Sequence, residues 1–303
     1  MYRPELKGPG LSGRVDFGNP SLVPVVRMLS INLRRETSAW SPPVGLWLTH
    51  ERIGETECFV LAPDPDALLP GVLYCHGGGF FLPLQCTSLR IASALAKALP
   101  ARIFLPDYRL LPEHLAPAAF QDCLAVWRSM SEDAALRHLD GRMLLYGESA
   151  GGALAAGLAL YARNYGLPQA AGQVLIYPAL DDRAQPYPSR GGIADAAWNT
   201  SSNAAMWRKY LHISEPTPYL VPLRAKVFSN LPPAYIEPQE LDILRDEAIV
   251  FAENLRRAGV PVQCNEISGS YHSFDADTDN PFVRSVLAQR VAAMKSMLED
   301  TTK

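Results

Sequence analysis

Apolar positions along the chain fall into two rhythms that take turns. Short apolar or β-branched runs occur at Val44–His50, Thr56–Leu61, Val72–Cys75, Arg102–Leu105, Met143–Tyr146, Gln173–Tyr177, Ala234–Glu237 and Val260–Ile267. Each reads as a strand. Between the later runs the apolar residues recur at helical spacing. Such stretches are Leu89–Leu99, Pro117 to about Leu139, and Ala150–Ala162. Leu244, Ala248, Phe251, Ala252 and Leu255 form another face, which ends at Gly259, and Val283, Leu287, Val291, Met294 and Leu298 mark a closing helix. Strands alternating with helices predict an α/β fold with an eight-stranded, mostly parallel sheet covered on both faces.

Two segments stand outside this alternation. Residues 1–43 hold prolines and glycines around one amphipathic segment, Leu22–Leu33, with Leu22, Val25, Val26, Leu29 and Leu33 on one face. It is expected to pack on the body of the protein, because Arg27 and the Arg34-Arg35 pair make a poor basic face for a lipid surface. The second is the connection from Tyr177 to Ala234, polar and proline-rich, with a short helix-like piece at Ala204–Leu211. A connection of that length in an α/β domain is usually functional, most often a lid. Its aromatics Trp198, Trp207 and Tyr210 either line a substrate pocket or pack on the main domain.

The chain has 303 residues, 48% hydrophobic and 19% charged, an ordinary globular balance for one large domain or two small ones. A net charge of -3 gives no electrostatic ground for nucleic acid or an anionic membrane as partner. Five scattered cysteines lack metal-ligand spacing and read as reduced thiols. The first residues lack the apolar core of a secretory signal, and no apolar run reaches spanning length. A cytoplasmic protein without stable membrane insertion is expected.

Candidate chemistry centres on Gly147-Glu148-Ser149-Ala150-Gly151, set between the Met143–Tyr146 strand and the following helix. Gly-x-Ser-x-Gly in a strand–turn–helix setting marks a nucleophile elbow, although a small-residue turn under a closely packed helix would look the same. The partners decide. His76-Gly77-Gly78-Gly79-Phe80 follows the Val72–Cys75 strand, where consecutive glycines let backbone N–H groups approach a ligand. Those of Gly78 and Gly79, with that of Ala150, are the expected oxyanion hole. In this arrangement the acid and then the base follow the serine. Of the later histidines, His212 lies in the presumed lid, while His272 sits in a loop after the last strand, where catalytic loops gather. Glu237, Glu240, Asp242 and Asp246 are candidate acids, and Asp242, in the turn before a helix, is favoured over a mere capping role.

These residues, taken in order, resemble the hormone-sensitive-lipase-like branch of the α/β-hydrolase carboxylesterases. The marks are His76-Gly-Gly-Gly79, Asp107-Tyr-Arg-Leu110 with Pro112-Glu-His114, and Gly147-Glu-Ser-Ala-Gly-Gly152. Pro222-Leu-Arg-Ala225, Leu231-Pro-Pro-Ala234, Asp242-Ile-Leu-Arg-Asp-Glu247 and Gly269-Ser-Tyr-His272 with Phe274 complete the set. Glu148 and Ser273 depart from the commoner Asp and Gly. The resemblance implies an α/β-hydrolase fold with a helical cap built from residues 1–43 and about 181–231. It also implies a serine carboxylesterase with Ser149 as nucleophile, His272 as base, Asp242 as orienting acid, and no metal or other cofactor. Asp107, Arg109 and Glu113 would form a structural network beneath the site. Family members often dimerise through the last strand, so a homodimer there is a possible partner arrangement. Bulky Phe80, Phe81 and Leu82 after the glycines suggest limited room, hence a small-molecule ester with a short acyl chain, bound among Phe80, Trp207 and Tyr210. Amide or acetyl-group cleavage, or a non-catalytic ligand-binding role, are the rival functions; the intact Ser149, Asp242 and His272 speak against the last.

Overall fold

Among the described residues the strands are β1 (Trp47–Ile53), β2 (Thr56–Ala62), β3 (Leu69–Cys75), β4 (Arg102–Pro106), β5 (Leu139–Glu148), β6 (Gly172–Ile176), β7 (Ala234–Glu237) and β8 (Val262–Cys264). The helices are α1 (Val23–Ala39), α2 (Cys86–Ala98), α3 (Ala118–Glu132), α4 (Ala150–Tyr165), α5 (Thr200–Tyr210), α6 (Arg245–Arg257) and α7 (Pro281–Glu299). The structure, a computed structural model, describes residues 2–6, 23–191 and 198–299. All eight strands join one sheet in the order β1-β2-β4-β3-β5-β6-β7-β8. The β1–β2 and β2–β4 pairs are antiparallel and the rest are parallel.

Alternation of side chains across the sheet builds two apolar layers. Leu73, Leu145, Leu175 and Ile236 point to one face, where they meet Trp127 of α3, Leu154 of α4 and Phe251 of α6. Val72, Leu144, Tyr146 and Val174 point to the other, against Leu89 and Leu95 of α2 and Val283 and Met294 of α7. Strands buried on both faces explain why their sequences read as continuous apolar runs. From β3 the chain steps outward to β4 and then crosses back over β3 to β5, so the strand order reverses there and the crevice beyond the carboxyl ends of β3 and β5 is the natural ligand site.

Several element boundaries differ from the sequence expectation. Helix α3 stops at Glu132, not near Leu139, because Leu139 pairs with Leu69 and opens β5 after a turn in which His138 takes a positive φ of 52°. Strand β1 begins at Trp47 rather than Val44, because Val44 and Gly45 (φ 84°) lie in a turn closed by the Leu46 N–H on the Pro43 carbonyl at 3.1 Å. Strand β8 keeps only three residues of the expected Val260–Ile267. Pro238, which lacks an N–H, interrupts the ladder on the β7 side, and pairing resumes as the single bridge Gln239–Ile267.

The amphipathic segment is a helix, α1, but its apolar stripe is only partly used. Of the expected face, Val26 is buried and Leu33 half-buried, whereas Val25 and Leu29 are 46% and 36% exposed. Leu22 lies outside the described residues. Helix α1 is held instead by polar ties: Arg27 to Glu113, Arg34 to Asp107, and the Thr37 hydroxyl to the Leu84 carbonyl. The three acidic and basic residues expected to form one network therefore act apart. Asp107 and Glu113 pin α1, while Arg109 forks onto Asp122 of α3 at 2.7–3.0 Å.

The first turn of helix α4 comes against the end of β3, closer than a side chain permits. A Cβ on Gly151 would lie 2.0 Å from the Cys75 carbonyl oxygen. Gly151→Ala is therefore expected to lower stability by about 3 kcal/mol, the upper end for overpacking, because the obstacle is backbone. Denaturant unfolding of the variant against the parent checks this.

Candidate active site

Strands β3 and β5 are neighbours in register, with Cys75 opposite Gly147. The turn after each strand therefore emerges at the same height. After β5 the chain makes the elbow: Ser149 has φ 53° and ψ −122°, a strained conformation for a residue with a side chain. The elbow is tied to β6, since Ser149 N–H donates to the Ile176 carbonyl at 3.0 Å and Ala179 N–H donates to the Ser149 carbonyl at 2.9 Å.

Across the crevice, His272 reaches the elbow. Its Nε2 accepts the Ser149 hydroxyl at 2.9 Å, and its Nδ1–H donates to Asp242 Oδ2 at 2.6 Å. All three residues are buried. The other oxygen of Asp242 accepts the Leu244 N–H at 3.1 Å, so the carboxylate serves the turn and the imidazole together. The remaining candidate acids are engaged elsewhere. Glu237 pairs with Arg290, Glu240 accepts from Gly269 N–H and the Ser268 hydroxyl, and Asp246 accepts the Ser189 N–H. His212 is exposed in the turn after α5.

The glycine loop lies beside the elbow. Gly78 has φ +116°, and a Cβ there would meet Leu82 backbone at 2.9 Å. Among the described residues the N–H groups of Gly78 and Gly79 have no acceptor. Ala150 opens α4, so its N–H lacks an intrahelical acceptor. His76, before the glycines, is buried and stacked on Tyr108 at 4.1 Å. Burial pushes its imidazole down to about 4, against the pull of its bond to the Gly77 carbonyl, so it stiffens the loop as a neutral ring.

In the sequence Glu148 stands out only as a departure from Asp; the structure gives it a task. Its carboxylate accepts the Ser88 hydroxyl at 2.6 Å, the Tyr74 hydroxyl at 2.8 Å and the Gly77 N–H at 3.2 Å. Burial and nearby Asp275 push this carboxyl above its usual range, and the three donors pull it back. Glu148 thus couples the residue before the nucleophile to the loop that carries the N–H groups. Nothing in the sequence pattern announced Ser88 or Tyr74 as its partners, because they lie on separate elements.

Phe80, Trp207 and Tyr210 form one buried aromatic stack. The rings of Phe80 and Tyr210 lie face to face at 3.9 Å, with Trp207 edge-on to Phe80 at 6.2 Å. They fasten α5 to the glycine loop. Trp198 flanks the base, its ring 6.1 Å from the imidazole of His272 and close against Gly79. The root of this inserted region is fixed by Glu247, which accepts Leu180 N–H at 2.6 Å and pairs with Arg190. All five cysteines are free. Among the described residues no group of His, Cys, Asp and Glu could hold a metal, and no helix is long and apolar enough to cross a membrane.

Comparison with known proteins agrees with this geometry. A family model described as alpha/beta hydrolase fold matches residues 72–276. Esterase LipI of Mycobacterium tuberculosis is 38% identical over 218 residues, 70% of this chain and 67% of that one. An ethyl acetate hydrolase of Pseudomonas putida is 32% identical over 223 residues, 70% of this chain and 69% of its own. The crystal structure of esterase LipW from Mycobacterium marinum is 30% identical, with a TM-score of 0.84 and 98% of both chains covered.

Glu148→Gln offers one acceptor oxygen where three donors converge, and turns an amide donor towards one of them. A fall of about tenfold in kcat towards an activated ester is expected, from about 1.4 kcal/mol of lost hydrogen bonding. Steady-state kinetics on the folded variant measure it.

Proposed function

The chain belongs to the hormone-sensitive-lipase-like carboxylesterases of the α/β-hydrolase fold, and on that premise we propose that it hydrolyses short-chain carboxylic esters through an acyl-enzyme on Ser149. The observation that carries this reading is the unbroken run of hydrogen bonds from Asp242 through His272 to the Ser149 hydroxyl. As the Ser149 oxygen attacks the ester carbonyl, His272 takes its proton at Nε2 and Asp242 stabilises the resulting imidazolium. The tetrahedral oxyanion is held by the N–H groups of Gly78, Gly79 and Ala150, each such donor contributing about 2.7–4 kcal/mol. His272 then gives its proton to the leaving alcohol. Water enters by the same route in reverse, releasing the acid and restoring Ser149.

The preference for short acyl chains is supported by the aromatic surroundings. Phe80 and Phe81 are buried directly after the glycines, and Trp198 stands against Gly79. The ester named for the Pseudomonas putida relative is itself short. Phe80, Trp207 and Tyr210 act as the wall behind the glycine loop, and the cap consists of residues 1–43 and about 181–231, of which the described part includes α1 and α5. A cytoplasmic location fits five free thiols. Cell fractionation that finds the enzyme outside the cytoplasm would refute that location.

A panel of p-nitrophenyl esters from acetate to palmitate tests the central reading. Activity should peak at the short end, and Ser149→Ala should abolish it. Asp242→Asn should lower kcat about 10⁴-fold by favouring the wrong imidazole tautomer. Intact-mass measurement should trap an acyl group on Ser149 of the parent enzyme. A long-chain optimum would refute the chain-length preference; full activity in Ser149→Ala would refute the mechanism. The half-exposed edge strand β8 is proposed as the seam of a homodimer. Light scattering should then report twice the chain mass, and a monomer would refute it.

A further inference from the structure

Behind the base lies a buried cation that the hydrolytic steps leave unused. Arg290 of α7 is fully buried. Its Nε and Nη2 donate to the two oxygens of Glu237 at 2.9 and 2.6 Å. Its Nη1 donates to Asp275 Oδ2 at 2.7 Å and to the Tyr146 hydroxyl at 3.2 Å. Glu237 ends β7, the strand that leads into the Asp242 turn, and Asp275 lies just past His272. A single guanidinium therefore joins the segment that carries the acid to the loop that carries the base.

Further bonds brace the base from both sides. The Tyr177 hydroxyl donates to Asp275 Oδ1 at 2.8 Å, while its ring lies 4.8 Å from the imidazole of His272. Gln239 Nε2 donates to Glu237 Oε1 at 3.1 Å, and the Ser270 hydroxyl donates to Gln239 Oε1. On the acid side, Leu241 N–H donates to the Ser270 carbonyl at 3.0 Å and Asp242 N–H to the Gln239 carbonyl at 3.1 Å. His272 thus sits between Ser270 and Asp275, and both are tied to the Arg290–Glu237 pair. Burying one cation with two carboxylates is costly, and an aliphatic side chain would fill the same volume. Such a group is worth keeping where it fixes a unique geometry.

We propose that Arg290 is a positioning residue, which sets the separation of Asp242 and His272 by holding both of their loops on one guanidinium. This rests on the reading of Ser149, His272 and Asp242 as a triad.

The test uses the full chain with p-nitrophenyl butyrate. Arg290→Lys keeps the charge and loses the fork, and Asp275→Asn keeps the shape and loses one charge. In each, kcat should fall about a hundredfold, the cost of roughly an ångström of misplacement. KM should stay within about twofold, since the ester-binding surface is untouched. Tyr177→Phe removes one hydroxyl and no charge, and should lower kcat about fivefold. Phosphonylation of Ser149 by an organophosphate should slow in parallel. Folded variants whose kcat is within about twofold of the parent, or whose loss lies in KM, would overturn the proposal. If the first two variants do not fold, Tyr177→Phe decides by the same criteria. Ser149→Ala runs alongside: activity there sinks the triad itself, whereas an inert Ser149→Ala with unaffected network variants sinks only the role of Arg290.

Discussion

The parallel pairing of β3 with β5 is the constraint on which the site depends. Because Cys75 stands opposite Gly147, the glycine loop and the elbow leave the sheet side by side. Neither would meet the other if the register slipped by one residue, since every side chain would then change face. The approach of α4 to the Cys75 carbonyl, allowed by the bare Gly151, brings the Ala150 N–H to the same place. Glu148 then fastens the junction, because its side chain reaches back across β3 to Gly77 and to Ser88 on α2.

Around that junction the acidic residues divide into those that meet the serine–histidine pair and those that hold the frame. Asp242, among the described acidic residues, is the one bonded to the imidazole. Glu148 secures the glycine loop, Glu237 and Asp275 share Arg290, and Glu247 anchors the root of the inserted region. Each is buried and each is satisfied by several donors, the condition under which interior carboxylates are tolerated. The frame is polar and specific, while the two apolar layers of the sheet supply the bulk of the stabilisation.

The order of strands and helices was legible in the sequence because period and run length are local properties. So were the residues brought to the crevice, since a glycine run and an elbow announce themselves by side chains that are missing. What sequence could not show was set by distant contacts. Leu139 looks helical from its spacing, yet it pairs with Leu69 and belongs to β5. The end of β8 depends on Pro238 in its neighbour, not on its own apolar residues. The tasks of Glu148 and Arg290 depend on partners up to 144 positions away, and no local pattern encodes those.

The attachment of α1 has a different character from everything beneath it. Its Arg27–Glu113 pair stands largely in water, its Arg34–Asp107 pair is half open to it, and little apolar area supports them. Dissolved electrolyte screens such pairs within about 8–10 Å, whereas the enclosed Arg290 cluster is shielded from it. Ionic strength therefore acts on the two parts unequally, loosening the outer helix while leaving the serine, imidazole and carboxylate aligned.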